Sequence, residues 1–229
     1  MDTINKVKSI SIWIFIVPFV AINTCLVLIT SFHDLFPNKA HIIHFTFPYI
    51  DGGASISRTA RVFPTYLIFK PAMFLTAYLL IRYWLYIKKI ILNIHGEHKN
   101  LKKILIFGIG SAICLVIHSI FLGIKFDYDL YKLFRRVIML VFIIFEVVAQ
   151  AYLVITLYSI KNKLLSFINL KFLKLKAILV SILVFVMVVS IPIVSMPGNK
   201  HIKHALEWDF FLGVILFYVL TFFMWKKQS

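Results

Sequence analysis

The amino-acid sequence predicts an all-α polytopic membrane bundle of six transmembrane helices, with both termini cytoplasmic. Three observations lead there. Of 229 residues, 61% are hydrophobic and 15% charged, where soluble domains run near about half apolar and about a quarter charged. A water-soluble fold of this size could not hide so much Phe, Ile and Leu, and the mean hydropathy of +0.93 excludes disorder as well. Apolar runs near the ~20 residues needed to cross a bilayer occur six times, at about 9–30, 64–87, 104–124, 136–158, 177–195 and 206–225.

The first run follows a basic start. It lacks a small-x-small cleavage site, so it is expected to remain as a span rather than leave as a signal peptide. The second is interrupted by Lys70 and ends near Arg82-Tyr83-Trp84, an interfacial anchor. The third carries Cys114 and His118, the fourth carries Glu146 and Gln150, and the sixth opens with Glu207 and Asp209. Cys25 and Cys114 both sit in apolar runs and read as small buried hydrophobes. The longest stretch between spans, 31–63, is too short for a separate soluble domain. The chain is therefore read as one integral membrane domain, residues 1–229, without repeats.

Charge sets the orientation. The N-terminus, the 88–103 and 161–176 loops and the C-terminus hold 14 Lys and Arg, against 9 in 31–63, 125–136 and 196–205. Cytoplasmic loops carry the excess of Lys and Arg. With acids counted, the cytoplasmic side carries +12 of the net +16. Such a charge against a membrane points to anionic lipid, which attracts each basic residue by about 1 kcal/mol. Nucleic acid is then not required as a partner.

Ionisable residues inside spans cost roughly 2.5–3.5 kcal/mol at the bilayer centre and mark function or internal pairing. Glu146 lies near the middle of the fourth span, with Gln150 one turn on. It reads either as a proton-carrying or headgroup-binding carboxylate or as a protonated group hydrogen-bonded within the bundle. Lys70 precedes Pro71, which disfavours regular helix there. A kink would aim the amine inward toward a lipid phosphate or carboxylate; otherwise it snorkels outward or pairs with Glu207 or Glu146. His118 reads as a helix–helix hydrogen-bonding residue or a ligand. His41-x-x-His44 and His201-x-x-His204-x-x-Glu207 are weak zinc-type spacings without H-E-x-x-H. Ser55 and Ser57 lack the G-x-S-x-G elbow of an acyl-transfer nucleophile, and no Walker loop is present. No cofactor or metal is expected.

Two stretches carry more. Phe47-Pro48-Tyr49-Ile50-Asp51-Gly52-Gly53 runs on to Val62-Phe63 and Arg82-Tyr83, and Glu207-Trp208 is followed by Phe217-Tyr218-Val219-Leu220-Thr221-Phe222. Together they resemble the six-span family of the DRAM autophagy modulators, the Frag and Sfk proteins and a GPI-anchor remodelling factor. That family typically reads P-Y-I-S-[DE]-x-G in its first outer loop, closes its second span with R-Y, and opens its last with E-W before F-Y-x-x-T-F. The likeness covers about 47–84 and 204–222. This chain lacks Ser between Ile50 and Asp51, reads Ser57-Arg58-Thr59-Ala60-Arg61 where the family has a P-x-E-type stretch, and has no counterpart of a histidine commonly entering the fourth span.

The resemblance implies a non-enzymatic factor in a plasma or endomembrane, of Golgi or lysosomal type. Such a factor would handle or organise lipid through GPI-anchor remodelling, lipid asymmetry or autophagy-related control, with protein partners. Its polar contacts would be Lys70, Glu146, Asp51 and Glu207, supported by Gln150 and His118. Two other readings stay open: a membrane enzyme acting on acyl chains, and a small transporter or channel using Glu146 and Lys70.

Overall fold

A computed structural model describes residues 2–124, 128–196 and 198–226. Lys125, Asp127 and Lys227, which entered the charge count, lie outside them. The regular secondary structure of the described residues is helical, apart from one isolated antiparallel bridge, Ile168 to Trp225.

Among the described residues, nine α-helices follow in order: α1 Asp2–Ser31, α2 Pro48–Asp51, α3 Ile56–Ala60, α4 Tyr66–His95, α5 Leu101–Phe121, α6 Asp129–Ser159, α7 Lys161–Leu164, α8 Leu170–Ser195 and α9 Lys200–Met224. Single 3₁₀ turns cover His33–Leu35 and Lys39–His41. Among the described residues, five helices (α1, α5, α6, the Leu170–Pro192 part of α8, and α9) are long and apolar enough to cross a membrane. The remaining long helix, α4, has 30 residues but carries Lys70, Arg82, Lys88 and Lys89.

Most long helices begin several residues before their apolar runs. Backbone hydrogen bonding does not stop at the edge of hydrocarbon, and Lys or Asp in a first turn is compatible with helix. Asn169 caps α8 by accepting from the Lys171 amide at 3.0 Å. The start of α8 at Leu170 changes one assignment: Lys176, counted in the 161–176 loop, is a fully buried helix residue. It shares the inward face with Leu173, Val180 and Leu183, all buried, at the i, i+3, i+7, i+10 spacing of one helix stripe. The terminal-side charge count falls by one.

The six long helices close into a ring in the order α1, α4, α5, α6, α8, α9, with α9 returning to α1. Gly108 lets α5 approach α4: a Cβ there would lie 2.5 Å from the Trp84 ring, the small-residue device by which membrane helices pack closely. At the end bearing both termini, α9 is tied to its neighbours. The Asn169 amide donates to Met224 O at 2.8 Å, the Lys226 amide to Phe167 O at 2.9 Å, and the Lys8 ammonium to Trp225 O at 3.1 Å.

The opposite, loop end is covered by residues 32–65. Ile29, Phe36, Ile43, Ala54 and Val62 form its small apolar core. Pro48 starts α2, where its fixed φ suits the first helical position, and Gly52 ends it at φ +59. Gly52 has a second reason to be glycine: a Cβ would lie 1.8 Å from the carbonyl oxygen of His201.

Candidate functional site

The loop cap is fixed to the first turns of α9. Asp51 accepts from the Thr46 hydroxyl at 2.5 Å and from the amides of Phe47 and Gly53, each at 2.8 Å. The Thr46 hydroxyl, with those two amides, holds the Asp51 carboxyl below its ordinary pKa. Trp208 is fully buried and donates its indole N–H to Ala54 O at 2.8 Å. Its ring meets that of Tyr49 edge-on at 4.9 Å, and Tyr49 donates to Asn23 Oδ1 on α1 at 3.2 Å. His201 and His204 point Nδ1 at the carbonyls of Asp51 and Gly52, at 3.2 and 2.9 Å. Among the described residues, no three His, Cys, Asp or Glu side chains converge as a metal site.

Beneath the cap, α1, α4, α5, α6 and α9 enclose a cavity of about 100 Å³. Ile22, Phe69, Met73, Leu115, Phe142 and Val214 contribute to its apolar wall. Along α9 it reaches from Glu207 to Tyr218, about 16 Å at ~1.5 Å per residue, or roughly half the ~30 Å hydrocarbon of a bilayer. One water needs only ~10–15 Å³ of such volume, and cavities lined by apolar groups take apolar guests.

Polar groups mark the two ends of that cavity. At the loop end lie Glu207 and His118. The Glu207 carboxylate faces the amides of Ile56 and Ser57, the free donors at the start of α3. Glu207 Oε1 and His118 Nδ1 are buried and lack a hydrogen-bond partner among the described residues.

At mid-bundle lies Glu146, 1% exposed. Ser111 donates to its Oε2 at 2.6 Å, and Gln150 and Tyr218 donate to its Oε1, Gln150 at 3.1 Å. Gln150 also donates to Val214 O at 3.2 Å. Behind Tyr218, its ring packs edge-on against Tyr83 at 5.0 Å. Tyr83 pairs with Thr221 at 3.5 Å, and the Lys176 ammonium donates to Thr221 Oγ1 at 2.6 Å while standing 3.7 Å over the Phe217 ring.

No family model, curated protein or solved structure matches this chain.

Residues of the 47–53, 82–84 and 204–222 stretches meet in space at two places. The 47–53 segment packs on Trp208, and Tyr83 packs on Tyr218 and Thr221. Lys70 is not brought to the cavity. Pro71 is accommodated as the sixth residue of α4, the helix continues through it, and Lys70 donates across to Ile120 O, near the C-terminal end of α5, at 3.2 Å. A cation at that end of a helix suits the dipole. Ser111, Tyr218, Thr221 and Lys176 were not singled out from sequence as site residues. Lys176 carried a signal, since it falls on the stripe of Leu173, Val180 and Leu183; Ser111 carried none.

Proposed function

We propose that the protein is a non-enzymatic, six-span integral membrane factor that takes a lipid acyl chain into its helix bundle, with α4 as the sixth span and both termini cytoplasmic. The cavity carries this reading. It is narrow and elongated, its wall is mostly apolar, and at the loop end, where a lipid's ester or hydroxyl groups would sit, Glu207 Oε1 and His118 Nδ1 have no partner among the described residues. The resemblance to the DRAM, Frag and Sfk proteins supports lipid handling, whether of GPI-anchor lipid, of leaflet asymmetry or in autophagy-related membrane control. The Lys and Arg of the terminal-side loops favour anionic lipid at the cytoplasmic face.

The test is co-purification. Protein extracted in mild detergent is washed, and bound lipid is measured by mass spectrometry for the native chain and for Val214→Trp, which fills the cavity. A phospholipid or GPI-type lipid retained by the native chain and reduced several-fold in the variant is expected. Equal retention by both, or none above the detergent background, would defeat the proposal.

A further inference from the structure

Basic side chains from three segments gather at the loop end. Arg58 comes from α3, Arg61 follows it, His41 comes from a 3₁₀ turn, and Lys200 and His204 come from the start of α9. With Ser55 they border a hollow of about 370 Å³. The ion pairs among the described residues lie elsewhere, at Lys6–Asp2 and Lys39–Asp34. Among the described residues, the side chains of Arg58, Arg61 and Lys200 make no hydrogen bond either.

The nearby carboxylate, Asp51, borders an adjoining hollow with Arg58 and His201, but its oxygens are occupied by Thr46, Phe47 and Gly53. On the other side, Arg61 and His41 border a second hollow with Arg135, whose buried Nε lacks a partner among the described residues. The Arg61 guanidinium, partly covered and facing Arg135 and Arg58, sits below its ordinary pKa. Positive groups are thus crowded together with an open volume between them, and among the described residues no carboxylate forms an ion pair with Arg58, Arg61 or Lys200.

We propose that this hollow binds a phosphate group, with Arg58 and Arg61 as its principal ligands and Lys200 beside them. Guanidinium forks match phosphate oxygens two at a time, and an ammonium adds a point charge. The source of the phosphate follows from the wall between the compartments. Ile56 and Ser57 of α3 line the apolar cavity, whereas Ser55 and Arg58 line the basic hollow. Along α9, Glu207 lines the first, and Lys200 and His204 the second. A phospholipid held by both straddles α3, its headgroup phosphate among the arginines. That headgroup assignment rests on the lipid reading above; phosphate binding itself does not.

Detergent-solubilised full chain is tested in two arms at constant ionic strength, with inorganic phosphate by equilibrium dialysis and with phosphatidic acid in phosphatidylcholine vesicles. The native chain and Lys163→Gln are expected to bind saturably. Arg58→Gln/Arg61→Gln should bind at least tenfold more weakly, and Arg58→Lys/Arg61→Lys should fall between. Phosphate bound without preference for phosphatidic acid keeps the anion site and removes the headgroup assignment. Equal binding by a cooperatively melting Arg58→Gln/Arg61→Gln variant, or no saturable binding by the native chain in either arm, overturns the proposal. If the double variant does not fold, diethylpyrocarbonate labelling of His41 and His204 in the native chain decides. Phosphate should slow it more than chloride does, and equal rates overturn the site.

Discussion

The phenol of Tyr218 on α9 donates to the carboxylate of Glu146 on α6. The bond joins two helices across a mostly apolar cavity wall, so it restrains their relative rotation as well as satisfying a buried acid.

Removing that donor should be felt more than changing the acid. Tyr218→Phe leaves Glu146 with Ser111 and Gln150 only, and an under-satisfied buried group costs about 1–3 kcal/mol. Glu146→Gln keeps an acceptor oxygen for these donors and should cost less. Thermal melting in detergent checks the order; a Glu146→Gln loss equal to or above that of Tyr218→Phe would contradict it.

Lys176 predicts an opposite pair of effects. Its ammonium is fully buried against Thr221 and the Phe217 ring, without a carboxylate partner among the described residues. Burying a charge is expensive, and an apolar residue of similar volume is often neutral or stabilising. Lys176→Met should hold or raise the melting temperature. Thr221→Val, which strips the ammonium of its acceptor, should lower stability by about 1–3 kcal/mol. Destabilisation by Lys176→Met larger than by Thr221→Val would show that the amine itself organises the bundle.

The cap should loosen when Trp208 loses its indole N–H. Trp208→Phe keeps much of the aromatic packing but leaves Ala54 O without its donor at 2.8 Å. Hydrogen exchange across 47–55 should accelerate roughly tenfold for a loss near ~1.4 kcal/mol, while α4 and α5 stay unchanged. Uniform acceleration over the chain would mean that Trp208 supports the whole bundle instead.

Acid should open the same cap. The Asp51 carboxyl is held below its ordinary pKa by Thr46 and two amides. Its stabilisation is therefore complete above the unfolded value of about 3.9 and is lost as pH falls through the lower folded value. Pepsin should cut within residues 44–55 of the native chain far faster at about pH 2.5 than at about pH 4.5, pH values bracketing that unfolded pKa. Asp51→Asn should be cut readily at both. Protection of the variant at the higher pH would remove Asp51 from the mechanism.

Hydropathy made the helical elements legible, because a period-independent apolar run of bilayer length has few other readings. Helix ends were less legible. The start of α8 was hidden by Lys171, Lys174 and Lys176, which look alike in sequence although the third is buried. Glu146 and Gln150 stood out as exceptions in an apolar run, and Glu207 as an acid opening the last apolar run, although α9 itself begins two turns earlier at Lys200. Their partners did not stand out. Ser111, 35 residues from Glu146, is ordinary where it stands, and Tyr218, 72 residues away, belonged to the 217–222 stretch without anything there pointing it at Glu146. Lys70 misled in the other direction: the neighbouring Pro71 suggested a kink, but a proline early in a helix interrupts little of the ladder, and the amine reaches a helix end instead. The basic hollow was invisible because its residues are scattered through 41–61 and 200–204 and ordinary in loops.

The ties of α9 to residues 167–169 and to Lys8 have a mechanical consequence. They rivet three helices together at one end by bonds that do not depend on side-chain packing along the bundle. At the loop end residues 196–199 connect α8 to α9, and the cap ties α9 to α1 through Trp208–Ala54 and Tyr49–Asn23. These three helices are therefore pinned at both ends, and a guest that parts them has to bow their middles rather than splay a free end.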